Sequence, residues 1–187
     1  MRSAMHFYVH MNTLQTPRLI LRKFTPTDFK RFAELMANPE VTLFSGKGVL
    51  ARDEAAALFE RLLAPARVGK PSQFAVIVRE TGELIGYCGF FLQMVDDVEE
   101  LEIAYRLHPD HWGRGLATEA ARAVRDHAFA ELEVERVISI IHPDNLRSQR
   151  VAEKNGMRKE KATEYKGIDI WIYALTRAQW QAARDGE

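Results

Sequence analysis

Three short segments of the chain carry residue types that could do chemistry together. Glu102 stands in the run LEIAYRL, two glycines stand in HWGRG just ahead of an alanine-rich run, and Asn145 and Ser148 stand in HPDNLRSQ. A carboxylate can accept a proton, and a glycine loop at the start of a helix can hold an anion. Polar side chains at the start of a second helix could cap that helix or contact a ligand.

The glycine loop gives the most specific structural signal of the three segments. Gly113, Arg114 and Gly115 follow a predicted strand and directly precede a predicted helix. The first turn of a helix leaves backbone N–H groups unpaired and carries partial positive charge, so the loop could cradle a phosphate. The spacing matches neither a Walker A loop nor a dinucleotide G-x-G-x-x-G motif. On spacing alone, a tight turn that packs a helix onto a sheet explains the loop equally well.

Glu102 lies within a strand pattern. Leu101, Ile103, Tyr105 and Leu107 share one face of the predicted strand, and Glu102 shares the other with Ala104 and Arg106. A carboxylate beside a small alanine could act as a general base on a neighbouring substrate, directly or through a water. The alternative is a solvated glutamate in a surface salt bridge.

The elements that must position these residues follow from hydrophobic period and turn signals. The pattern predicts strands at about 18–22, 74–79, 83–92, 101–107, 137–141, 157–164 and 168–175, the last two joined at Lys166-Gly167. It predicts helices at about 29–36, 53–64, 116–131 and 145–155, with an irregular stretch between the first two. We therefore expect one mixed α/β domain over residues 14–187, preceded by a loose leader at 1–13.

Composition excludes several classes of partner. The chain has 187 residues, and its 26 basic and 26 acidic residues cancel, so no global field favours nucleic acid or an anionic membrane. No apolar run is long enough to span a bilayer, and one cysteine, Cys88, fits a reducing compartment such as the cytoplasm. The six histidines are scattered without metal-ligand spacing, so we expect no metal.

Four ordered stretches resemble one known family. WGRGLATEA resembles the acyl-CoA pyrophosphate loop, Q/R-x-x-G-x-G/A, of the GCN5-related N-acetyltransferases (the GNAT superfamily), with Trp112 at the Q/R position, Gly115 at the glycine and Ala117 at the terminal position. The tryptophan is a variation seen in the Rim-type ribosomal-protein N-terminal acetyltransferases. TPRLILRKFTPTDF, EIAYRLHPDHWGRG and NLRSQRVAEKNGM resemble other motifs of that branch.

The resemblance implies a fold, a cofactor and a set of site residues. It implies a GNAT fold with a central, mostly antiparallel sheet flanked by helices, and acetyl-CoA as acyl donor. Glu102 would be the general base, Ser148 a general acid or thiol-positioning hydroxyl, and Asn145 a hydrogen-bonding partner of the CoA arm. The remaining cofactor contacts would come from the backbone of Tyr105, Arg106 and Leu107 and from Gly113, Arg114, Gly115, Leu116, Ala117 and Thr118.

The acceptor remains open at this level. The resemblance favours direct transfer to a protein or peptide N-terminal α-amine, such as that of a ribosomal protein. A polyamine, an amino-acid derivative or an antibiotic is the nearest alternative, and a non-catalytic acyl-CoA-binding module is an alternative of another class. Trp171 and Tyr173 could line the acceptor pocket or simply pack in the core. The sequence does not distinguish a monomer from a homodimer.

Overall fold

A computed structural model, which describes residues 13–186, shows one eight-stranded sheet with helices on both faces. Residues 1–12 of the predicted leader lie outside the described residues. The strands are β1 (Leu14–Gln15), β2 (Leu19–Lys23), β3 (Gln73–Val78), β4 (Leu84–Val95), β5 (Val98–Leu107), β6 (Arg136–Ile141), β7 (Arg158–Tyr165) and β8 (Ile168–Thr176). The helices are α1 (Phe29–Met36), α2 (Pro39–Thr42), α3 (Arg52–Arg67), α4 (Leu116–Ala130), α5 (Leu146–Lys154) and α6 (Arg177–Asp185).

The order of the strands divides the sheet near its middle. The order is β1-β2-β3-β4-β5-β6-β8-β7, and every neighbouring pair is antiparallel except β5 with β6. Those two parallel strands share one register pair, Glu102 with Ile138. Beside it, the Ser139 hydroxyl donates a 2.8 Å hydrogen bond to the Ile103 carbonyl oxygen. Past that point the two strands diverge and leave a gap.

Side chains alternate between the two faces of the sheet, and apolar side chains form a hydrophobic core on each face. In β3, Phe74 and Val76 join the larger cluster, which includes buried residues of α4, whereas Ala75 and Ile77 pack in the cluster that holds α1 and α3. Successive side chains of a strand point to opposite faces, so an apolar run in a central strand can serve both cores. Burial of these apolar surfaces holds the helices in place on either side of the gap.

The predicted mixed sheet is confirmed, and most element bounds agree within a few residues. The turn between β4 and β5 is tighter than the predicted strand bounds of 83–92 and 101–107 indicated. Asp96 and Asp97 alone form it, with φ of 48° and 60°. Two central residues with positive φ match the right-handed twist of a hairpin, so both strands extend up to the turn. Lys166 and Gly167 make the second such turn, as predicted.

Three elements were not predicted. Asn38 and Pro39 follow the end of α1 and begin α2, because Asn38 accepts hydrogen bonds from the N–H groups of Glu40 and Val41 and proline suits the first helical position. Helix α6 begins with a capping box between Thr176 and Gln179. Strand β1 is too short to leave a pattern.

Candidate active site

The gap between β5 and β6 opens into a cleft of about 750 Å³. Glu102 and residues 105–107 line it from β5, residues 113 and 115–118 from the glycine loop and the start of α4, and Asn145 and Ser148 from the start of α5. Of the twelve residues predicted for catalysis or cofactor binding, Arg114 alone does not line this cleft. Segments far apart in the chain therefore meet at one site.

Glu102 is buried inside the cleft. Its side chain is 8% exposed, and one of its oxygens, Oε2, accepts a 2.8 Å hydrogen bond from Nε2 of Gln93. Burial raises the pKa of Glu102, while the Gln93 hydrogen bond, the Ile140 backbone and the charge of Arg106 oppose that rise. Among the described residues, no salt bridge to Glu102 is present. This environment is unlike that of a solvated surface glutamate.

The backbone of β5 turns alternate residues toward the gap. The Ile103 carbonyl accepts the Ser139 hydroxyl there, and the Leu107 carbonyl accepts a 2.8 Å hydrogen bond from Trp112 Nε1. Hydrogen-bonding groups alternate sides along a strand, so Tyr105 between them also directs its backbone into the gap. Arg106 turns its carbonyl toward β4, where a Cβ on Gly86 would lie 2.0 Å from it. The strand therefore offers Tyr105 and Leu107 as backbone partners, contrary to the prediction for Arg106.

The glycine loop has the geometry of an anion site. Gly113 and Gly115 have φ of 72° and 78°, a region that side chains disfavour, and Gly115 is the N-cap of α4 without any side chain to bond the helix start. The N–H groups of Leu116, Ala117 and Thr118 consequently have no partner within the helix, and these residues line the cleft. A phosphate there would meet free donors and the positive end of the helix dipole.

Arg18 and Glu119 fasten this loop to β2. Glu119 Oε1 accepts hydrogen bonds from the Thr16 hydroxyl at 2.6 Å and from the Arg18 backbone N–H at 2.9 Å. The Arg18 guanidinium bonds Glu119 Oε2 and, at 2.9 Å, the carbonyl oxygen of Arg114. These contacts were not predicted, because Arg18 and Glu119 are separated by 101 positions. An acid in the first turn of a helix was the available signal.

Trp112 replaces the glutamine or arginine of the family pattern. Its indole nitrogen binds the end of β5, and the Arg147 guanidinium lies 4.4 Å from the centre of its ring. The tryptophan therefore joins the loop to β5 and to α5. Arg114, predicted as a cofactor contact, lines a separate depression together with Arg18 and Arg79 and not the cleft. Arg147, Arg150 and Lys154 supply positive charge along the cleft instead.

The start of α5 brings two predicted residues to the cleft. Asn145 is the N-cap, and its side-chain oxygen accepts a 3.1 Å hydrogen bond from the backbone N–H of Ser148. The Tyr105 hydroxyl donates a 2.9 Å hydrogen bond to the Ser148 carbonyl oxygen. The half-buried Ser148 side chain lines the cleft. Capping and ligand contact remain compatible at this helix start.

The other side of the cleft is lined by α2 and the residues after it. Glu40, Leu43 and Phe44 reach the cleft there, and the Phe44 ring lies 5.2 Å from the ring of His142. None of these residues was predicted from the sequence to line the site. Tyr173 is buried in the core, and neither it nor Trp171 lines the cleft.

Three further observations concern the cysteine, possible metal ligands and the helices. Cys88 is fully buried, and burial raises the pKa of its thiol, which makes it a poor nucleophile. Within residues 13–186, no cluster of three or more His, Cys, Asp or Glu side chains could hold a metal ion. None of the helices in the described part of the chain is long and apolar enough to cross a bilayer.

Comparison with known proteins identifies the family. The model of the acetyltransferase (GNAT) domain matches residues 18–158. An uncharacterised N-acetyltransferase p20 of Bacillus licheniformis is 29% identical over 178 residues, which cover 91% of this chain and 99% of that protein. The crystal structure of an acetyltransferase from Agrobacterium tumefaciens is 30% identical, with a TM-score of 0.77 over 92% of this chain and 99% of that one.

A further solved structure contains the cofactor. RimL, described as a ribosomal L7/L12 alpha-N-protein acetyltransferase in complex with coenzyme A, superposes with a TM-score of 0.73 over 88% of this chain and 98% of that one. At 18% identity it shows the shared fold. The residues of our cleft suit coenzyme A, because free helix N–H groups suit its pyrophosphate and the open β5 edge suits its amide-containing arm. The chain thus belongs to the GNAT family and is an acetyl-CoA-dependent N-acetyltransferase.

Proposed function

We propose that this enzyme acetylates the α-amine of a protein or peptide N-terminus by direct attack on acetyl-CoA in a ternary complex. The observation that carries the proposal is the buried carboxylate of Glu102 beside the open edge of β5. The amine nitrogen attacks the thioester carbonyl carbon, Glu102 takes the amine proton, and the carbon–sulfur bond breaks. Ser148, which lines the same cleft, would stabilise or protonate the leaving thiolate.

The chemistry of the base favours an α-amine over a lysine side chain. An α-ammonium has a pKa near 7.7 to 8.0 and a lysine near 10.4, a difference of about 2.6 units or about 3.5 kcal/mol in proton affinity. Burial raises the pKa of Glu102 and so reduces the difference in pKa between this base and the α-ammonium group. The name of the RimL neighbour supports the same acceptor class.

The backbone groups of β5 would hold the donor. Tyr105 and Leu107 direct hydrogen-bonding groups into the gap, where they can bind the pantetheine arm and polarise the thioester carbonyl. Residues 113 and 115–118 would hold the pyrophosphate, and Asn145 a further part of the CoA arm. Burial of Cys88 supports direct transfer instead of an acyl-cysteine intermediate. A cytoplasmic location belongs to the proposal and fits the single cysteine.

A small cationic amine is the second candidate acceptor. Glu40 lines the cleft from α2 and adds a second carboxylate to that of Glu102. Two carboxylates would attract a polyamine or an aminoglycoside more strongly than a neutral site would.

Thiol release from acetyl-CoA tests these alternatives. The acceptors are peptides with a free N-terminus, the same peptides with a blocked N-terminus and a free lysine, and a panel of polyamines and aminoglycosides. We expect turnover with free N-termini and little with the blocked peptides. Turnover restricted to lysine or to small amines would contradict the proposed acceptor. Thermal protection by acetyl-CoA without turnover of any acceptor in this panel would contradict both proposed acceptor classes.

A further inference from the structure

We propose that Gln93 and Tyr165 are positioning residues for Glu102, arranged as a hydrogen-bonded chain that runs from Tyr165 through Gln93 to the carboxylate. The proposal rests on the function proposed above, in which Glu102 is the base. Gln93 Nε2 lies 2.8 Å from Glu102 Oε2, and the Tyr165 hydroxyl lies 2.5 Å from Gln93 Oε1. Neither residue lines the cleft, so both act through Glu102.

The direction of this chain follows from what each group can donate. An ionised carboxylate only accepts hydrogen bonds, so the amide nitrogen of Gln93 must face Glu102. The amide oxygen of Gln93 then faces Tyr165, and the phenol must donate to it. The carboxylate therefore determines which end of the Gln93 amide faces it, and Tyr165 stabilises that orientation by donating to the amide oxygen. Without the phenol, the amide would lose this second hydrogen bond.

The register places the three residues on different strands. Phe91 pairs with Glu102 and Gln93 pairs with Glu100, so Gln93 is a diagonal neighbour of Glu102 on one face of the β4–β5 hairpin. Tyr165 ends β7, at the far edge of the sheet beyond the gap. The chain of hydrogen bonds thus links the two parts of the sheet that the gap separates.

A second contact shows how β7 reaches the hairpin. Lys161 and Thr163 bind the two oxygens of Asp96, at 2.6 Å and 2.9 Å, on the same hairpin that carries Gln93. Alternate residues of β7 therefore contact the hairpin, and Tyr165 is the last of them. Thr163 offers a matched control, since its hydroxyl joins the same two elements without touching Gln93.

The chemical consequence concerns the groups that hold the Glu102 carboxylate. Gln93 binds Oε2 and the Ile140 backbone also favours the ionised form, so an acceptor amine or a bridging water would meet a carboxylate that these two contacts keep in place. A hydrogen bond to the ionised form also favours ionisation, which burial opposes. The other charged or titratable groups that act on Glu102 or are affected by it are Arg106, Lys166, Tyr87 and Tyr105. Neither Arg106 nor Lys166 makes a hydrogen bond to the Glu102 carboxylate, as Gln93 does.

The test compares Gln93→Met, Tyr165→Phe and the control Thr163→Val. For each protein we would measure the pH profile of kcat/KM for the acceptor, the carboxyl titration of Glu102 by carbon-13 NMR, and the Kd for acetyl-CoA. We expect Gln93→Met to move the acidic limb and the Glu102 titration upward by about one pH unit and to lower kcat about tenfold, as the loss of a hydrogen bond to a charged group predicts. Tyr165→Phe should give a smaller shift in the same direction.

The control and the cofactor affinity separate positioning from loss of structure. Thr163→Val should shift neither the pH limb nor the titration, and all three variants should bind acetyl-CoA within about twofold of the parent. In a Glu102→Gln background, Gln93→Met should have little further effect on rate, since residues that act as a unit are not additive. An unchanged Glu102 titration in Gln93→Met would overturn the proposal.

The two proposals can fail separately. If Glu102→Gln retained the parent rate, Glu102 would not be the base, yet the NMR titration would still report whether Gln93 controls its ionisation. Glu102→Gln could instead be inactive while Gln93→Met matches the parent in rate, pH limb and titration. That result would support Glu102 as the base and contradict the positioning role of Gln93 and Tyr165.

Discussion

Tyr105 donates a hydrogen bond to the backbone carbonyl of Ser148, on the face of the sheet opposite to the Glu102 side chain. Side chains of residues 102 and 105 leave opposite faces of β5, because three positions separate them. The two predicted catalytic residues thus approach the gap from opposite faces. This arrangement suits direct transfer, with the amine deprotonated on one face and the thiolate released on the other.

The two catalytic assignments predict an order of effects on rate. Glu102→Gln should lower kcat by about 10² to 10³, a usual contribution of a general base. Ser148→Ala should lower kcat by about tenfold, because a thiolate with a pKa near 8.5 needs little help in leaving. Steady-state rates at saturating acetyl-CoA would check both variants. The reverse order would contradict the roles assigned to Glu102 and Ser148.

Glu102→Gln should also make the fold more stable at neutral and alkaline pH. Burial raises the pKa of Glu102 in the folded state, so its contribution is stabilising below the unfolded pKa and is lost as pH rises through the folded pKa. The neutral amide avoids that loss and can still accept the Gln93 hydrogen bond. Denaturant midpoints at pH 8 and pH 4 should show a gain at pH 8 that shrinks at pH 4. Glu99→Gln, at an exposed position of the same strand, should show no such gain.

Gly115→Ala should weaken binding of acetyl-CoA. Its φ of 78° strains any side chain by about 1–2 kcal/mol, and relief of the strain would rotate the N–H groups that face the cleft. Gly82, with φ of 70° and open space around it, is a matched control in the β3–β4 turn. Both alanine variants should lose similar stability, but Gly115→Ala alone should lose about tenfold in acetyl-CoA affinity by titration calorimetry. Equal affinities in the two variants would argue against the loop as the pyrophosphate site.

Trp112→Phe should raise the KM for acetyl-CoA several-fold and leave kcat nearly unchanged. Phenylalanine keeps a ring beneath Arg147 but loses the indole hydrogen bond to the end of β5, a loss of about 1 kcal/mol. Trp180→Phe removes a comparable hydrogen bond, to Asp126, away from the cleft and should leave KM unchanged. Initial rates over a range of acetyl-CoA concentrations would measure the difference.

His127 should make the fold sensitive to acid. It lies in α4 near Phe74 and Phe90, with ring centres 6.2 Å and 6.4 Å away, and burial lowers its pKa. The neutral form is favoured in the folded state, so its contribution is full above the unfolded pKa of about 6.5 and is lost as pH falls through the folded pKa. His127→Leu should therefore reduce the loss of stability between pH 7 and pH 5. Parallel pH dependence in urea unfolding of parent and variant would contradict this assignment.

Most of the fold could be predicted from local sequence patterns. Alternation in Leu101–Leu107 predicted the central strand, and Gly167 in the Lys166-Gly167 pair between two strand patterns predicted the last hairpin. Helix α6 left a readable signal in Thr176 and Gln179, since a capping box needs only four residues.

The candidate site depends on contacts that no local pattern encodes. Gln93 and Tyr165 are 72 positions apart, and each is an ordinary strand residue by itself. The divergence of β5 from β6 depends on how two strands far apart in the chain meet, so neither strand shows it alone. Alternation placed Glu102 and Ala104 on one face of β5. Identifying Gln93 as the partner of the carboxylate required the register of β4 against β5.

The single register pair between β5 and β6 gives this sheet an edge in its interior. An outer edge with unpaired N–H and C=O groups invites another chain to add a strand, and proteins protect such edges from aggregation. Here the starts of α4 and α5 line the cleft beside the exposed groups of β5, so these helix ends limit what can pair with that strand. The protein thereby keeps part of a strand available for pairing inside the sheet, away from its outer edges.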